Sequence, residues 1–430
     1  MKKTIRLFIG TSLAVSFIFL IFSQCFAENI KSSKLTLDEC YQLALKQSET
    51  IAINSEIIKE AEAHFTQALG AILPQVSFVR TQTNQDSERA FSSYNHNGSF
   101  ESKFVFKQTL FSGFKEFAGM AGSRLEQKQR INEKKRAEEL LFVDVSDAFY
   151  LLLEEQEDLK TMGLIRKALN DRILELKKRE DIGRSRHSEI VNTETQLYNI
   201  EAEIQLVKSQ ELIAKELMAF LIGRDPGALL DKEDTPDSLE PESFYTDNFR
   251  SRSDVKAYDF AAGVAKKEAY IAKAALLPTV TVEGNYYEKR NTAPLDTTWS
   301  TVLKVSVPIF EGTTTYGNIA EANAESREAE LEYARAKRLA IQDIHDSYIN
   351  AYSAILRSNA MEKALKSAEL NYSLQKDDYK NNLVSNLEVL TAIQNFSNTR
   401  RDYMHALYEK KRMYWQLKAA AGHIIEDKIQ

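Results

Sequence analysis

Two pairs of carboxylates are the best candidates for chemistry in this sequence. Asp144 and Asp147 lie three residues apart, and Asp343 and Asp346 repeat that spacing. General acid–base catalysis needs a carboxylate whose pKa is tuned by its surroundings, with a partner group within reach of the substrate. No such partner accompanies either pair in the sequence. We therefore interpret both pairs as polar positions of helices that face solvent or a lumen.

Motifs for metal, phosphate or nucleophile chemistry do not occur. The six histidines are scattered without the Cys or Asp/Glu spacing of a zinc site, and the sequence contains no phosphate-binding loop or nucleophile elbow. The formal charge is −6, and removing Lys2, Lys3 and Arg6 with the first segment takes it to about −9. This acidic balance argues against a nucleic-acid partner. We expect no enzymatic activity and no cofactor.

The first 27 residues have the features of a secretory signal peptide. A positively charged start precedes an apolar core at 7–22 and a small-x-small cleavage site at 25–27. Two alternatives stay open, namely an uncleaved membrane anchor and a lipoprotein modified at Cys25. After cleavage Cys40 is the only cysteine, so no intramolecular disulfide can form.

The rest of the chain is built from two copies of one pattern. Four motifs recur at an offset of 199 residues: 110–113 as 309–312, 144–149 as 343–348, 189–191 as 388–390, and Gly223 as Gly422. A fifth, Ala-Ile-Leu-Pro at 71–74, recurs as Ala-Leu-Leu-Pro at 275–278. A constant register over so long a stretch predicts two equivalent structural repeats, which we assign to 28–245 and 246–430.

Long stretches of each repeat have the pattern of extended helices. Apolar residues recur at alternating steps of four and three residues, and in the first such stripe only Glu155 and Arg166 interrupt the series. This is the heptad period of helices that pack lengthwise on their neighbours. Tight turns are predicted at 183–188 and at 381–386. A helix over 114–182 would be on the order of 100 Å long.

Two shorter regions, about 74–111 and about 278–310, change to the period of two that is typical of strands. Each region predicts a hairpin with one apolar face. We assign five residues to that face and expect them to contact lipid: Phe104, Phe106, Trp299, Leu303 and Val305. Alternation of this kind over about ten residues is typical of outer-membrane barrels, although a soluble hairpin packed on a helix would alternate similarly. Beyond the first segment, no apolar run reaches the roughly 18 residues of a membrane helix.

Four strands are too few to close a membrane barrel, because the smallest have about eight. An open sheet edge in lipid would leave backbone groups without hydrogen-bond partners. The strands therefore predict that two or more copies of the chain assemble one barrel.

Several motifs together resemble the outer-membrane efflux proteins of the TolC family. They are the opening segment Leu-Thr-Leu-Asp-Glu-Cys-Tyr-Gln-Leu-Ala-Leu at 35–45, the Leu-Pro strand entries at 73–74 and 277–278, and the strand exits Gln-Thr-Leu-Phe-Ser-Gly at 108–113 and Val-Pro-Ile-Phe-Glu-Gly at 307–312. The resemblance implies a mainly α fold with a membrane β-barrel. It implies a homotrimer whose 12-stranded barrel stands on an internally duplicated tunnel of long helices.

The resemblance also implies a gate at the periplasmic tip of the tunnel, where the second hairpin coils shut. Glu388 matches a first ring of acidic residues, and Thr391 lies where a second acid would be. Tyr379 matches a gate tyrosine and Glu189 its carboxylate partner, so Tyr379→Phe is expected to raise conductance. Val384 stands where the family's type member carries an arginine. From the sequence alone, Glu388 is equally a solvated charge at a helix start.

The function that the resemblance implies is a passive exit duct in the outer membrane of a Gram-negative bacterium, with a long periplasmic portion. Its implied partners are a periplasmic adaptor protein, an inner-membrane transporter and outer-membrane lipid. A type I secretion duct would differ only in cargo and partner. The alternative class is a coiled-coil structural protein without transport. The sequence leaves the cargo open.

Overall fold

The computed structural model describes residues 34–84, 98–291 and 296–424. The signal-peptide prediction and the alternatives at Cys25 lie outside the described residues. Among the helices of the described part, none is long and apolar enough to cross a membrane.

Long helices and four strands make up the chain, in the same order in each half. The first half contains α1 (Leu37–Gln47), α2 (Glu49–Gly70), β1 (Gln75–Asn84), β2 (Gly98–Phe111), α3 (Lys115–Asp181) and α4 (His187–Ile222). The second half contains α5 (Glu242–Thr246), α6 (Ser253–Ala274), β3 (Thr279–Arg290), β4 (Trp299–Ser306), α7 (Thr314–Lys380) and α8 (Asn386–Ala420). Helices α3 and α7 each have 67 residues, which makes each about 100 Å long.

Glycines with positive φ explain why two of the recurring motifs are fixed in register. Gly113 (φ 71°) and Gly312 (φ 65°) precede α3 and α7, and Gly223 (φ 74°) and Gly422 (φ 75°) follow α4 and α8. Residues with a Cβ rarely adopt this left-handed conformation, which commonly ends a helix. The helices follow the same offset, because α7 begins 199 residues after the start of α3 and ends 199 residues after its end.

The helices pack side by side in layers that have two open edges. Away from the strands, α3 packs against α4 and α8, and α8 packs against α7, which gives the order α4–α3–α8–α7. Toward the strands the order is α2–α3–α6–α7. Helices α3 and α7 therefore run through both layers, while α2 and α4 lie at one edge and α7 lies at the other.

The predicted heptad stripe of α3 is buried, with one local correction. Val145, Leu152 and Met162 are fully buried, as expected. Arg166, however, is exposed, and the neighbouring Ile165 takes the buried place. Ile165 lies beside this position at the edge of the same stripe, so the apolar side chain takes the buried place and the charged one stays in solvent.

The interruption at Glu155 has an electrostatic consequence. Burial is the main cause that raises the pKa of this carboxyl to about 7, and the charges of Asp158 and Glu154 raise it further, while Arg401 acts in the opposite direction. The stripe therefore carries a carboxyl that is partly protonated near neutral pH.

The four strands form one antiparallel sheet in the order β1-β2-β3-β4. All five residues predicted to contact lipid lie on one exposed face: Phe104, Phe106, Trp299, Leu303 and Val305. An aromatic row crosses the whole sheet in register: Phe78, Phe104, Tyr286 and Trp299. Strand β4 ends at Ser306, earlier than the predicted 309–310, because Pro308 has no N–H to donate to a ladder.

Candidate functional site

The two predicted tip turns lie together at the end of the helical layer farthest from the strands. Helix α3 ends at Asp181 and α7 at Lys380, close to the predicted turn positions. Arg179 Nη1 donates to Asn382 Oδ1 at 3.1 Å, which joins the end of α3 to the second turn. Asn382 adopts a positive φ of 59° there. The tip is thus a junction between the hairpin α3–α4 and the hairpin α7–α8.

Glu388 caps the start of α8. Its Oε2 accepts hydrogen bonds from Ser385 N at 2.6 Å and from Ser385 Oγ at 2.9 Å, and the reciprocal bond completes a capping box. The hydrogen bond from the Ser385 amide is the main cause that holds the pKa of Glu388 below its usual value. Within one protomer, therefore, Glu388 is an ionised carboxylate that caps the start of a helix, which is one of the two roles considered for it from the sequence.

Apart from Leu387, which is also exposed, the exposed face of α8 is polar along its first turns. It carries Glu388, Thr391, Asn395, Asn398 and Asp402. Thr391 donates its hydroxyl to the carbonyl of Leu387 at 2.8 Å on its own helix. The opposite face, with Val389 and Ile393, is buried against the neighbouring helices.

The expected contact between Tyr379 and Glu189 is replaced by other partners. Glu189 Oε2 accepts from Ser185 Oγ at 2.5 Å, and none of the hydrogen bonds within the described part of the protomer joins Glu189 to Tyr379. The Tyr379 ring instead lies 3.4 Å from Arg172 Cζ and 4.4 Å from Arg179 Cζ. The aromatic face of the tyrosine, and not its hydroxyl, makes the close contacts.

The two arginines are functional candidates that sequence reasoning missed. Arg172 and Arg179 are seven residues apart on α3, which puts them on one helix face two turns apart. This seven-residue spacing is the feature of the sequence from which a shared role of the two arginines could have been predicted. What the sequence could not supply was the neighbour of that face, because Tyr379 lies about 200 positions further along the chain.

Two members of the paired carboxylates are bound to different groups. Asp343 Oδ2 accepts from Arg252 Nη2 at 3.3 Å, and Asp147 Oδ2 accepts from Gln416 Nε2 at 3.2 Å. Burial raises the pKa of Asp147 and of Asp144. Both border a wide, open cavity of about 610 Å³ at the α4 edge of the layer.

Comparisons with known proteins agree with this architecture. Residues 249–423 match the family model of the outer membrane efflux protein. The outer membrane protein TolC of Vibrio cholerae is 20% identical, over 100% of this chain and 97% of that protein. Nodulation protein T of Rhizobium leguminosarum bv. trifolii is 21% identical over 54% of this chain, and that alignment spans 52%, about half, of its own length.

Solved structures give the same result. The outer membrane protein VceC of Vibrio cholerae has a TM-score of 0.79 at 20% identity, and the match covers 90% of this chain and 96% of VceC. The fold is therefore that of an outer membrane efflux channel. The resemblance of this chain to the outer-membrane efflux proteins of the TolC family is confirmed.

Proposed function

We propose that three copies of this chain form a channel-tunnel in the outer membrane of a Gram-negative bacterium. The channel would be the passive exit duct of a tripartite efflux or type I secretion system, with a periplasmic adaptor protein and an inner-membrane transporter as its partners. The observation that carries this proposal is that the helical layers and the sheet both end in open edges. Head-to-tail association of such edges closes a ring when the rotation between copies is right.

Both helical edges expose large apolar side chains that recur on one face of the helix. On α4 the stripe has steps of seven, eight, seven, four and three residues: Val191, Tyr198, Leu206, Ile213, Leu217 and Phe220. On α7 a similar stripe contains Leu331, Ile349, Tyr352, Leu356, Leu370 and Leu374. Apolar surface of this extent usually marks an interface. The α4 edge of one copy and the α7 edge of the next are the natural partners.

The dimensions favour three copies over two. Helices pack 8–10 Å apart, so a ring of twelve has a diameter of about 35 Å between helix axes, which leaves a bore of about 25 Å. A ring of eight would leave roughly half of that bore. The family resemblance independently implies three.

The sheet has the features of a lipid-facing wall. The apolar face of β2 extends from Phe100 to Leu110, about 33 Å along a strand. At a barrel tilt near 40° this corresponds to about 25 Å, the height of an outer-membrane apolar band. The aromatic row of the sheet crosses this face at Phe104 and adds to its apolar surface. A coiled-coil structural protein without transport has no need of this surface.

Cross-linking tests the assembly. Chemical cross-linking of the detergent-purified protein should give a ladder that ends at three. Ile213→Glu on the α4 stripe should shift the protein toward monomer, since burying an isoleucine contributes about 1.5–3 kcal/mol and a buried charge adds a penalty. The matched control is Leu212→Glu, which lies on the next residue, also exposed, but outside the stripe. A stable monomer inserted in the outer membrane would contradict the architecture.

We further propose that Glu388 contributes a ring of three carboxylates at the periplasmic tip. Rings of acidic side chains favour cations over anions in a pore. The capping box complicates the simple test, because Glu388→Ala would also remove a helix cap. Glutamine satisfies the same box without charge.

Glu388→Gln should therefore lower the cation-to-anion permeability ratio by about twofold or more, and it should weaken block by divalent and trivalent cations in planar bilayers. Thr391→Val is the control, because Thr391 is exposed on the same face and carries no charge. Unchanged selectivity in Glu388→Gln would leave Glu388 as a helix cap only.

A further inference from the structure

We propose that Arg172 and Arg179 of α3 form a latch that holds the second hairpin closed, because both enclose Tyr379 and Arg172 also binds Asn386. We call these four residues the tip latch. The inference rests on the proposed channel function and adds to it the contact that must break when the tip opens.

The first element of the tip latch is a stack. Tyr379 is only 5% exposed although it is the last but one residue of α7. Guanidinium carbons lie 3.4 Å (Arg172) and 4.4 Å (Arg179) from its ring centroid. Two guanidinium groups on one face of the ring would overlap, so we infer that they take opposite faces. Planar guanidinium groups stack on aromatic rings in this way, and the attraction is strongest where water is excluded.

The second element is a chain of hydrogen bonds through the first residue of α8. Arg172 Nε donates to Asn386 Oδ1 at 2.9 Å. Asn386 Nδ2 in turn donates to Thr193 Oγ1 at 3.2 Å and to the carbonyl of Glu189 at 3.4 Å. Asn386 is buried, and its side-chain amide thus joins α8 to both helices of the first hairpin. A buried amide that lost these partners would have unpaired polar atoms.

The third element fixes the end of α7. Arg179 Nη2 lies 3.4 Å from the carbonyl of Tyr379 and 3.5 Å from that of Lys380, and it donates to both. The last carbonyls of a helix have no partner within it, and they favour a cation. Glu175, between the two arginines on α3, accepts from Arg172 at 2.9 Å and lies 3.6 Å from Arg179. One carboxylate therefore orients both guanidinium groups.

Two features of the tip latch favour its opening. Arg172 is 5% exposed, yet its Nη2 has no hydrogen-bond partner in the described structure, so this buried donor gains a partner when it reaches water. A half-open cavity of about 200 Å³ adjoins Arg172 and is also lined by Tyr372, Val389 and Ile393. It gives the side chain a place to move without unfolding α3.

Single-channel recording in planar bilayers tests the latch. Arg172→Ala and Arg179→Ala should each raise the open-to-closed ratio about tenfold, as expected for losing a desolvated cation–π contact. Tyr379→Leu keeps an apolar side chain but removes the aromatic face, and it should raise the ratio similarly. Tyr379→Phe keeps the face and should behave like the wild type, contrary to the expectation drawn from a tyrosine–carboxylate contact.

Arg166→Ala is the matched control, because it removes an exposed positive charge from the same helix and should leave the ratio unchanged. Cross-linking and far-ultraviolet circular dichroism on each variant verify that the trimer and its helices persist. If Tyr379→Phe opens the channel while the arginine variants do not, the hydroxyl is the latch and the proposal is overturned. A wild-type protein that never conducts would instead refute the channel function itself.

Discussion

A positive charge at Leu303 should prevent stable insertion of the protein into the outer membrane, whereas the same charge at Val302 should be tolerated. Both residues are apolar, adjacent on β4 and well exposed, at 61% and 52%. They differ in the face of the sheet. Leu303 pairs with Val282 on the apolar face. Val302 pairs with Glu283, and Glu283 in turn pairs with Lys107 on the next strand. These residues and Lys304 form the polar face.

An arginine on the lipid face costs about 2–4 kcal/mol near the bilayer midplane and less toward the interfaces. Leu303 lies level with Gln108, toward one end of the apolar face, so we expect the lower part of that range, which a trimer would bear three times. We therefore expect Leu303→Arg to be lost from the outer-membrane fraction, and the heat stability of any trimer that remains to fall sharply. Val302→Arg, and likewise Ser306→Arg at the end of the strand, should fractionate and cross-link like the wild type. Equal losses at Leu303 and Val302 would mean that the two faces are misassigned.

The helices could be predicted from the sequence because their period depends on local contacts. Apolar steps of four and three residues place Val145, Leu152 and Met162 on one face whatever the neighbour is. Counting heptads placed Arg166 in the buried stripe, but the polarity of the two neighbours favours burying Ile165 instead. The early end of β4 was predictable, since Pro308 is visible in the sequence.

The tip was less predictable because its contacts join residues far apart in the chain. Ser385 and Glu388 have the capping-box spacing, so their bond could have been predicted from local sequence. Arg172 and Tyr379 are 207 residues apart, and their stack depends on how two hairpins lie against each other. The resemblance predicted Tyr379 as a gate residue with Glu189 as its partner, whereas within the protomer the Tyr379 ring lies against two arginines of α3.

The junction between the two helical layers depends on one buried arginine. Arg252 is 1% exposed, and its Nη1 donates to the carbonyls of Ala340 at 3.2 Å and Ala420 at 2.9 Å. Its Nη2 donates to Asp254 at 2.6 Å and to Asp343 at 3.3 Å. Burial alone would raise the pKa of Asp254, but the hydrogen bonds from Arg252 outweigh it and lower that pKa. One guanidinium therefore joins the start of α6, the middle of α7 and the end of α8.

Removing this side chain should cost about 1.5–3 kcal/mol of folding free energy, because Asp254, which is part-buried, would lose its main charged partner. Arg252→Ala should accordingly unfold at a clearly lower temperature, or at lower denaturant, when the melt is followed by circular dichroism. Arg250→Ala is the control, because Arg250 is exposed two residues earlier and should change stability little. Since the pKa of Asp254 is lowered from 3.8, the stabilisation is present above that pH and is lost as the pH falls below it. The difference between wild type and Arg252→Ala should therefore narrow in strong acid, and a difference that is the same at pH 7 and pH 2 would show that the ion pair is not its source.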